Sequence, residues 1–274
     1  MTAKELFDKG DLTAAIAKVG DELKNDPADV QRRTFLFEML CFAGDLERAA
    51  KQLDVISRGG AESELAVQRY RSAIECEKLR RLCFTQGLTP GLPKKVPPYT
   101  QMHLDALTHL RENRSAEARA LLEQAADLTP TVTCMVNREL FDDIRDADDL
   151  MGPFLEVFTL NNYSWVPWEA VRSVAITPPK HLRDLIWTPA TVELDIGALG
   201  EVFLPALYAQ SYLHPDNQVK LGRATDWRGD VEGLTLAAGQ RLLVTGDRDW
   251  PMLEIRELEC EAPESEHVDT GTGN

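Results

Sequence analysis

Histidines, cysteines and a run of carboxylates are the residues of this chain that could do chemistry, and their spacing does not assemble any. The five histidines (His103, His109, His181, His214 and His267) lie far apart. None belongs to an H-E-x-x-H pattern, which sets two imidazoles and a general base around zinc on one helix face. His103 and His109 are six residues apart, a spacing that places them on different sides of a helix. The five cysteines (Cys41, Cys76, Cys83, Cys134 and Cys260) show no C-x-x-C pair. Their odd number, with no apolar export core in Met1-Thr2-Ala3-Lys4-Glu5, predicts reduced thiols in the cytoplasm, serving as small buried apolar groups. Asp142-Asp143-Ile144-Arg145-Asp146-Ala147-Asp148-Asp149 crowds carboxylates together, but without the alternation, central glycine and distant glutamate of a calcium loop. It is expected to form a solvated helix face. No G-x-S-x-G, Walker loop or dinucleotide glycine fingerprint occurs, and Gly222-Arg223-Ala224-Thr225 and Gly246-Asp247-Arg248-Asp249 read only as turns. The expectation is a protein with no catalytic residue, no metal and no cofactor. A reaction centre assembled from distant residues of the second half is the rival reading.

The elements that must carry these residues begin with a repeat. Gly10-Asp11-Leu12 recurs 34 residues later as Gly44-Asp45-Leu46, Ala15 as Ala49, Leu6 as Leu40 and Val19 as Leu53. That period belongs to stacked antiparallel helix pairs. Each glycine supplies the positive φ that ends a first helix, each aspartate caps the second, and each alanine sits where the two helices approach most closely. Asn25-Asp26-Pro27 closes the first hairpin, and Thr2 with Glu5 forms a capping box. The pattern resembles the tetratricopeptide repeat over residues 1–60. An irregular helix over 64–86 follows, anchored by Leu65, Tyr70, Ile74 and Leu79 and broken by the Gly- and Pro-rich stretch 87–98. A weaker hairpin occupies 101–130, with Asn113 in place of the turn glycine.

Beyond residue 130 the period is lost. A helix is expected over 132–150, and short β-rich runs follow at 154–159, 173–177, 191–196, 201–209, 241–245 and 252–258, with brief helices at 168–172 and 181–186. All five tryptophans (Trp165, Trp168, Trp187, Trp227 and Trp250) lie here, either filling a thin core or forming a binding face. The fold expected is two-part. An N-terminal all-α domain of helical hairpin repeats spans 1–130, and a small α+β domain with a largely antiparallel sheet spans 131–260, beginning with a helix. A disordered acidic tail completes it over 261–274. Net charge is −15, and residues 131–274 hold 25 acids against 11 bases, which disfavours nucleic acid and anionic membrane. No run nears the roughly 20 apolar residues that span a bilayer.

Four stretches carry a family resemblance. Tyr163-Ser164-Trp165-Val166-Pro167-Trp168-Glu169, Leu182 to Ala190, Val202 to Tyr208 and Leu221 to Trp227 together resemble the ImpE family, also called TagJ, accessory proteins of bacterial type VI secretion. Thr188 departs from the pattern, standing where a basic residue is expected. The resemblance implies a cytoplasmic, non-enzymatic protein that binds the N-terminal helix of the small sheath subunit and is linked through it to the AAA+ unfoldase that recycles contracted sheath. A self-associating scaffold subunit is the alternative. Helical hairpins offer a groove for such a helix. In the second hairpin the groove face would present Gln31, Thr34, Phe35, Glu38 and Cys41, with Phe35 the anchor because it has no evident core duty. The alternative surface is Trp165, Trp187, Tyr208, Arg223 and Trp227.

Overall fold

Side-chain chemistry sets the helix ends of the first part. The computed structural model describes residues 1–57, 61–231 and 233–261; the expected tail, from 262 onward, lies outside the described residues. Thr2 caps α1 (Ala3–Asp8) through the capping box: its hydroxyl accepts the Glu5 N–H at 3.2 Å and the Glu5 carboxylate accepts the Thr2 N–H at 3.0 Å. Asp11 and Asp45 cap α2 (Leu12–Asn25) and α4 (Leu46–Ile56) by accepting the N–H of Ala14 and Arg48. Gly10 and Gly44, at φ +84° and +77°, turn the chain into these helices. Ala15 and Ala49 are wholly buried, as close helix approach requires. With α3 (Val30–Phe42), the first two hairpins are the expected ones. α5 (Ala61–Gln86) is the expected long helix, but Leu65 is not an anchor: it is 70% exposed, and Val67 is buried instead. The third hairpin pairs α6 (Tyr99–Arg111) with α7 (Ser115–Ala126) across Asn113, at φ +58°.

The helix expected over 132–150 does not form. That segment makes β1 (Cys134–Val136), β2 (Glu139–Phe141) and β3 (Arg145–Asp146), so the second part opens on strands. Asn137 and Arg138 both adopt positive φ, +48° and +73°, giving the two-residue turn whose twist suits a hairpin. The acidic run is likewise no solvated helix face. Asp146 and Asp148 are buried, and Asp148 accepts the N–H groups of Leu150, Met151 and Ala237. Short acidic side chains outcompete a helix here by hydrogen-bonding the local backbone.

Ten further strands follow: β4 (Phe154–Thr159), β5 (Asn162–Pro167), β6 (Val171–Ile176), β7 (Trp187–Leu194), β8 (Gly197–Pro205), β9 (Thr225–Val231), β10 (Leu234–Gly239), β11 (Leu242–Thr245), β12 (Arg248–Pro251) and β13 (Glu257–Cys260). The brief helices expected near 168 and 182 are single 3-10 turns, Trp168–Ala170 and Leu182–Leu185. A one-turn helix, α8 (Asn217–Lys220), precedes β9. Eight strands pair antiparallel in the order β2-β1-β13-β6-β7-β8-β4-β5, beside a β12-β11-β3 sheet and a β10-β9 ribbon. Period-2 alternation explains how the large sheet serves two cores. Phe154 and Phe158 of β4 face the helices and pack with Trp165, Trp187, Phe203 and the helical hydrophobics. Leu155 and Val157 face the other way, against Leu243 and Trp250 of the small sheet. The helices and the large sheet therefore share one hydrophobic core.

Candidate partner-binding surface

On the inner face of the second hairpin, much of the expected groove is filled by the chain itself. Gln31 is exposed, and Thr34 is half-buried with its hydroxyl donating to the Val30 carbonyl at 2.9 Å. Phe35 is not the idle aromatic expected: it packs edge-on against Phe7 at 5.7 Å and joins the two hairpins. Glu38 is buried and accepts a 2.7 Å hydrogen bond from Arg183, whose guanidinium also lies over Tyr70 at 4.8 Å. Burial pushes the Glu38 carboxyl up, with Arg183 acting against that rise. Cys41 is buried beside Arg81 and Tyr212, and burial raises its thiol far above the usual range. All five cysteines are buried and free.

The seam extends along both repeat glycines. Arg81 donates to the Gly44 carbonyl at 2.7 Å and lies 3.8 Å over the Tyr212 ring, which itself covers Gly44. Gln218 covers Gly10 in the same way. Arg223 donates to the carbonyls of Phe7 and Asp8, both at 3.0 Å, closing the C-terminal end of α1 where a cation is favoured. These two glycines thus provide a close approach for the second part as well as a turn.

Nor does the alternative set form one surface. Trp165, Trp187 and Tyr208 are core residues, Arg223 belongs to the seam, and Trp227, 39% exposed, stands apart on β9. Thr188, where the resemblance expects a base, is fully buried and donates to the Asp184 carbonyl at 2.8 Å.

A buried ionic network that sequence reasoning missed lies between the two parts. Glu156, on the helix-facing side of β4, receives Arg80 of α5 through two hydrogen bonds, 2.8 and 2.6 Å. The same carboxylate accepts from Tyr163 and Arg241, while Arg241 also reaches Asp146 at 2.5 Å and Tyr208 donates to Asp146 at 2.9 Å. Burial alone would raise the Glu156 carboxyl, but Arg80 and Arg241 reverse this and hold it down at about 2. For Asp148, burial and then the neighbouring Asp146 push the carboxyl up to about 7. Both Glu156 oxygens are committed to guanidinium or phenol donors, so the cluster is a fastening between α5 and the sheet. One signal was available: Glu156 interrupts Phe-Leu-Glu-Val-Phe, and alternation places it on the same face as the two phenylalanines.

Two cavities lie beside the third hairpin: one of about 500 Å³ with Asp148, Glu156 and Arg241 in its wall, and a cleft of about 450 Å³ against the sheet part, both of a size typical of ligand sites. Leu122 and Ala126 of α7, with Val132, Ile144, Trp168 and Leu234, form the apolar lining of the cleft. Tyr99 donates to Glu169 at 2.7 Å beside it, and His103 Nδ1 donates to the Leu150 carbonyl at 2.7 Å. Burial lowers the His103 imidazole to about 4, so the ring is neutral. The Trp168 indole N–H is buried without a hydrogen-bond acceptor. Among the described residues no group of histidine, cysteine or carboxylate side chains is placed to hold a metal, and no helix is long and apolar enough to cross a membrane.

Comparison with known proteins agrees with this architecture. The family model described as ImpE protein matches residues 138–259. The chain is 36% identical over 261 residues to the type VI secretion system accessory component TagJ of Pseudomonas aeruginosa, covering 95% of this chain and 92% of that protein. A crystal structure of protein VPA1032 from Vibrio parahaemolyticus superposes with a TM-score of 0.85 at 23% identity, covering 94% of this chain and 97% of that one.

Proposed function

The chain belongs to the ImpE family of type VI secretion accessory components, and from that premise we propose that it is a non-enzymatic adaptor for a helix of the sheath machinery. Its partner in this reading is the N-terminal helix of the small sheath subunit, bound in the cytoplasm, with the AAA+ unfoldase reached only through the sheath. Similarity to TagJ along nearly the whole chain carries the reading. The architecture supports it: helical hairpins fastened to a sheet leave an apolar cleft beside a helix, the kind of site that takes an amphipathic helix. The cluster best suited to the enzymatic alternative, Glu156 with Arg80, Arg241 and Asp146, is spent on joining the two parts. Of the residues expected to make contact, Gln31, Arg223 and Trp227 are exposed and Thr34 and Phe35 half-buried.

Titration of the full chain with a peptide of that sheath helix, read by heat or fluorescence anisotropy, tests the adaptor. Saturable binding is expected; no signal at high micromolar peptide overturns it. The self-associating scaffold would instead show as a concentration-dependent mass in light scattering.

A further inference from the structure

The five cysteines divide by element. Cys41 lies on α3, and Cys76 and Cys83 lie on α5. Two turns of helix, a rise of about 10 Å, hold that last pair beyond the roughly 7 Å between Cα atoms that a disulfide can bridge. Cys134 and Cys260 differ. They come from opposite ends of the second part and stand directly opposite each other where β1 pairs antiparallel with β13.

The ladder fixes what kind of pair this is. Glu261 donates its N–H to the Thr133 carbonyl at 3.0 Å, and Asn137 donates to the Glu257 carbonyl at 2.9 Å. Those bonds mark 133 with 261 and 137 with 257 as hydrogen-bonded pairs, so strict alternation makes Cys134 with Cys260 a non-hydrogen-bonded one. Partners of that kind have Cα atoms about 4.5 Å apart and side chains on one face. A disulfide takes a Cα separation of about 4.4–6.8 Å. Val136 and Leu258, the next such pair on this face, make a plain core contact. Both thiols are buried and neither is bridged. The Cys134 thiol donates to the Asp143 carbonyl at 3.6 Å, a weak bond that one χ1 rotation exchanges for contact with Cys260.

We propose that Cys134 and Cys260 are an oxidation site, which peroxide converts to a cross-strand disulfide locking β13 to β1. Cys260 reacts first. It is 7% exposed against 0% for Cys134, and the register of β13 with β6 stops at Glu259 and Ser173, where a strand opens most readily. Its sulfur attacks one peroxide oxygen, the O–O bond breaks, and the hydroxide released leaves as water with the thiol proton. The Cys134 sulfur then attacks the sulfenic acid on Cys260. The S–S bond forms, the S–O bond breaks, and a second water carries off the Cys134 proton. Two thiols thus give two electrons to one peroxide, yielding one disulfide and two waters. Burial pushes both thiols up to about 12, so thiolate is scarce at neutral pH and the reaction is slow. The site therefore registers sustained oxidant. Because β13 lies between β1 and β6, the new bond closes a loop from 134 to 260 that contains most of the large sheet, and so restricts the unfolded chain.

The test uses the full chain, reduced and folded. It is held with excess hydrogen peroxide, its remaining thiols are capped with iodoacetamide, and its peptides are mapped without reduction. The expected result is one linked pair of peptides holding Cys134 and Cys260, with a melting midpoint about 5 °C or more above that of the reduced protein. Dithiothreitol should reverse both. Raising the pH from 7 to 8 should speed linkage about tenfold, as thiolate supply does. Cys134→Ala should abolish the link and the midpoint rise and leave a sulfenic acid on Cys260 that dimedone captures, whereas Cys76→Ala should keep link and rise. Recovery of Cys134 and Cys260 as capped free thiols after prolonged oxidation of the parent would overturn the proposal. So would a link that appears only in urea, or one that joins Cys260 to a cysteine of the helical part.

Discussion

At the scale of single residues, burial decides what each ionisable group does. Arg80 illustrates the cost: it is 3% exposed and holds Glu156 from the far side of the domain junction. Arg80→Met keeps the bulk but leaves Glu156 one guanidinium short in a dry site, so a loss of about 3–5 kcal/mol is expected in urea unfolding. A loss under about 1 kcal/mol would mean the network contributes nothing net. His103 makes a pH-dependent prediction. Its imidazole titrates near 4 when folded against 6.5 when exposed, so the unfolded chain binds the proton first as pH falls. The stability contributed by neutral His103 is thus full above pH 6.5 and lost progressively down to about pH 4. Asp148 titrates in an overlapping range with the opposite sign, so the prediction is differential. The destabilisation by His103→Gln, measured by urea unfolding, should shrink by about 2 kcal/mol between pH 7 and 4.5.

At the scale of elements, the two repeat glycines look interchangeable in sequence and are not. Both sit at positive φ, which costs a non-glycine residue about 1–2 kcal/mol. A Cβ on Gly10 would meet the flexible end of Gln218, whereas one on Gly44 would stand 2.2 Å from the Tyr212 ring and 3.0 Å from its Cβ. Gly44→Ala is therefore expected to destabilise more than Gly10→Ala by about 1 kcal/mol or more, and the added Tyr212→Ala should recover part of the gap. Equal melting shifts for the two glycine variants would contradict this. The same contrast shows what was legible in the sequence. Gly10, Asp11, Ala15 and their counterparts 34 residues on act locally, through φ, caps and close approach, so their roles could be read from position alone. Segment 132–150 misled because Asp146 and Asp148 bind the local N–H groups of Asp148, Leu150 and Met151, while Asp148 also accepts from Ala237 of β10 and Ala147 donates to Leu242 of β11, partners that only the fold brings near. Of the junction of Arg80 with Glu156, 76 residues apart, the alternation in residues 154–158 shows only that Glu156 faces inward; nothing in position names its partner.

At the scale of the whole molecule, the hairpins and the sheet are one folding unit. Phe154, Trp165, Trp187 and Phe203 belong to the same core cluster as Phe37, Leu40 and Ile74. A chain cut after residue 130 would expose that helical surface and strand Arg80 and Glu77 without Glu156. The 1–130 fragment is expected to bind hydrophobic dye and lose sharp melting, and the full chain to unfold in one transition by both far- and near-UV dichroism. Two separated transitions would mean the junction is weaker than its burial implies.

The position of β13 has a further consequence for how the protein is made. It lies between β1 and β6 in the large sheet, pairing Cys134 with Cys260 and Val174 with Leu258. A nascent chain therefore carries two unsatisfied strand edges until Glu257–Cys260 leaves the ribosome, and the β1–β2 ribbon has no seat before then. Sheet closure must wait for synthesis through Cys260, with exposed edges prone to aggregate meanwhile. A stop codon at residue 256 should yield insoluble protein, whereas one at 262 should not.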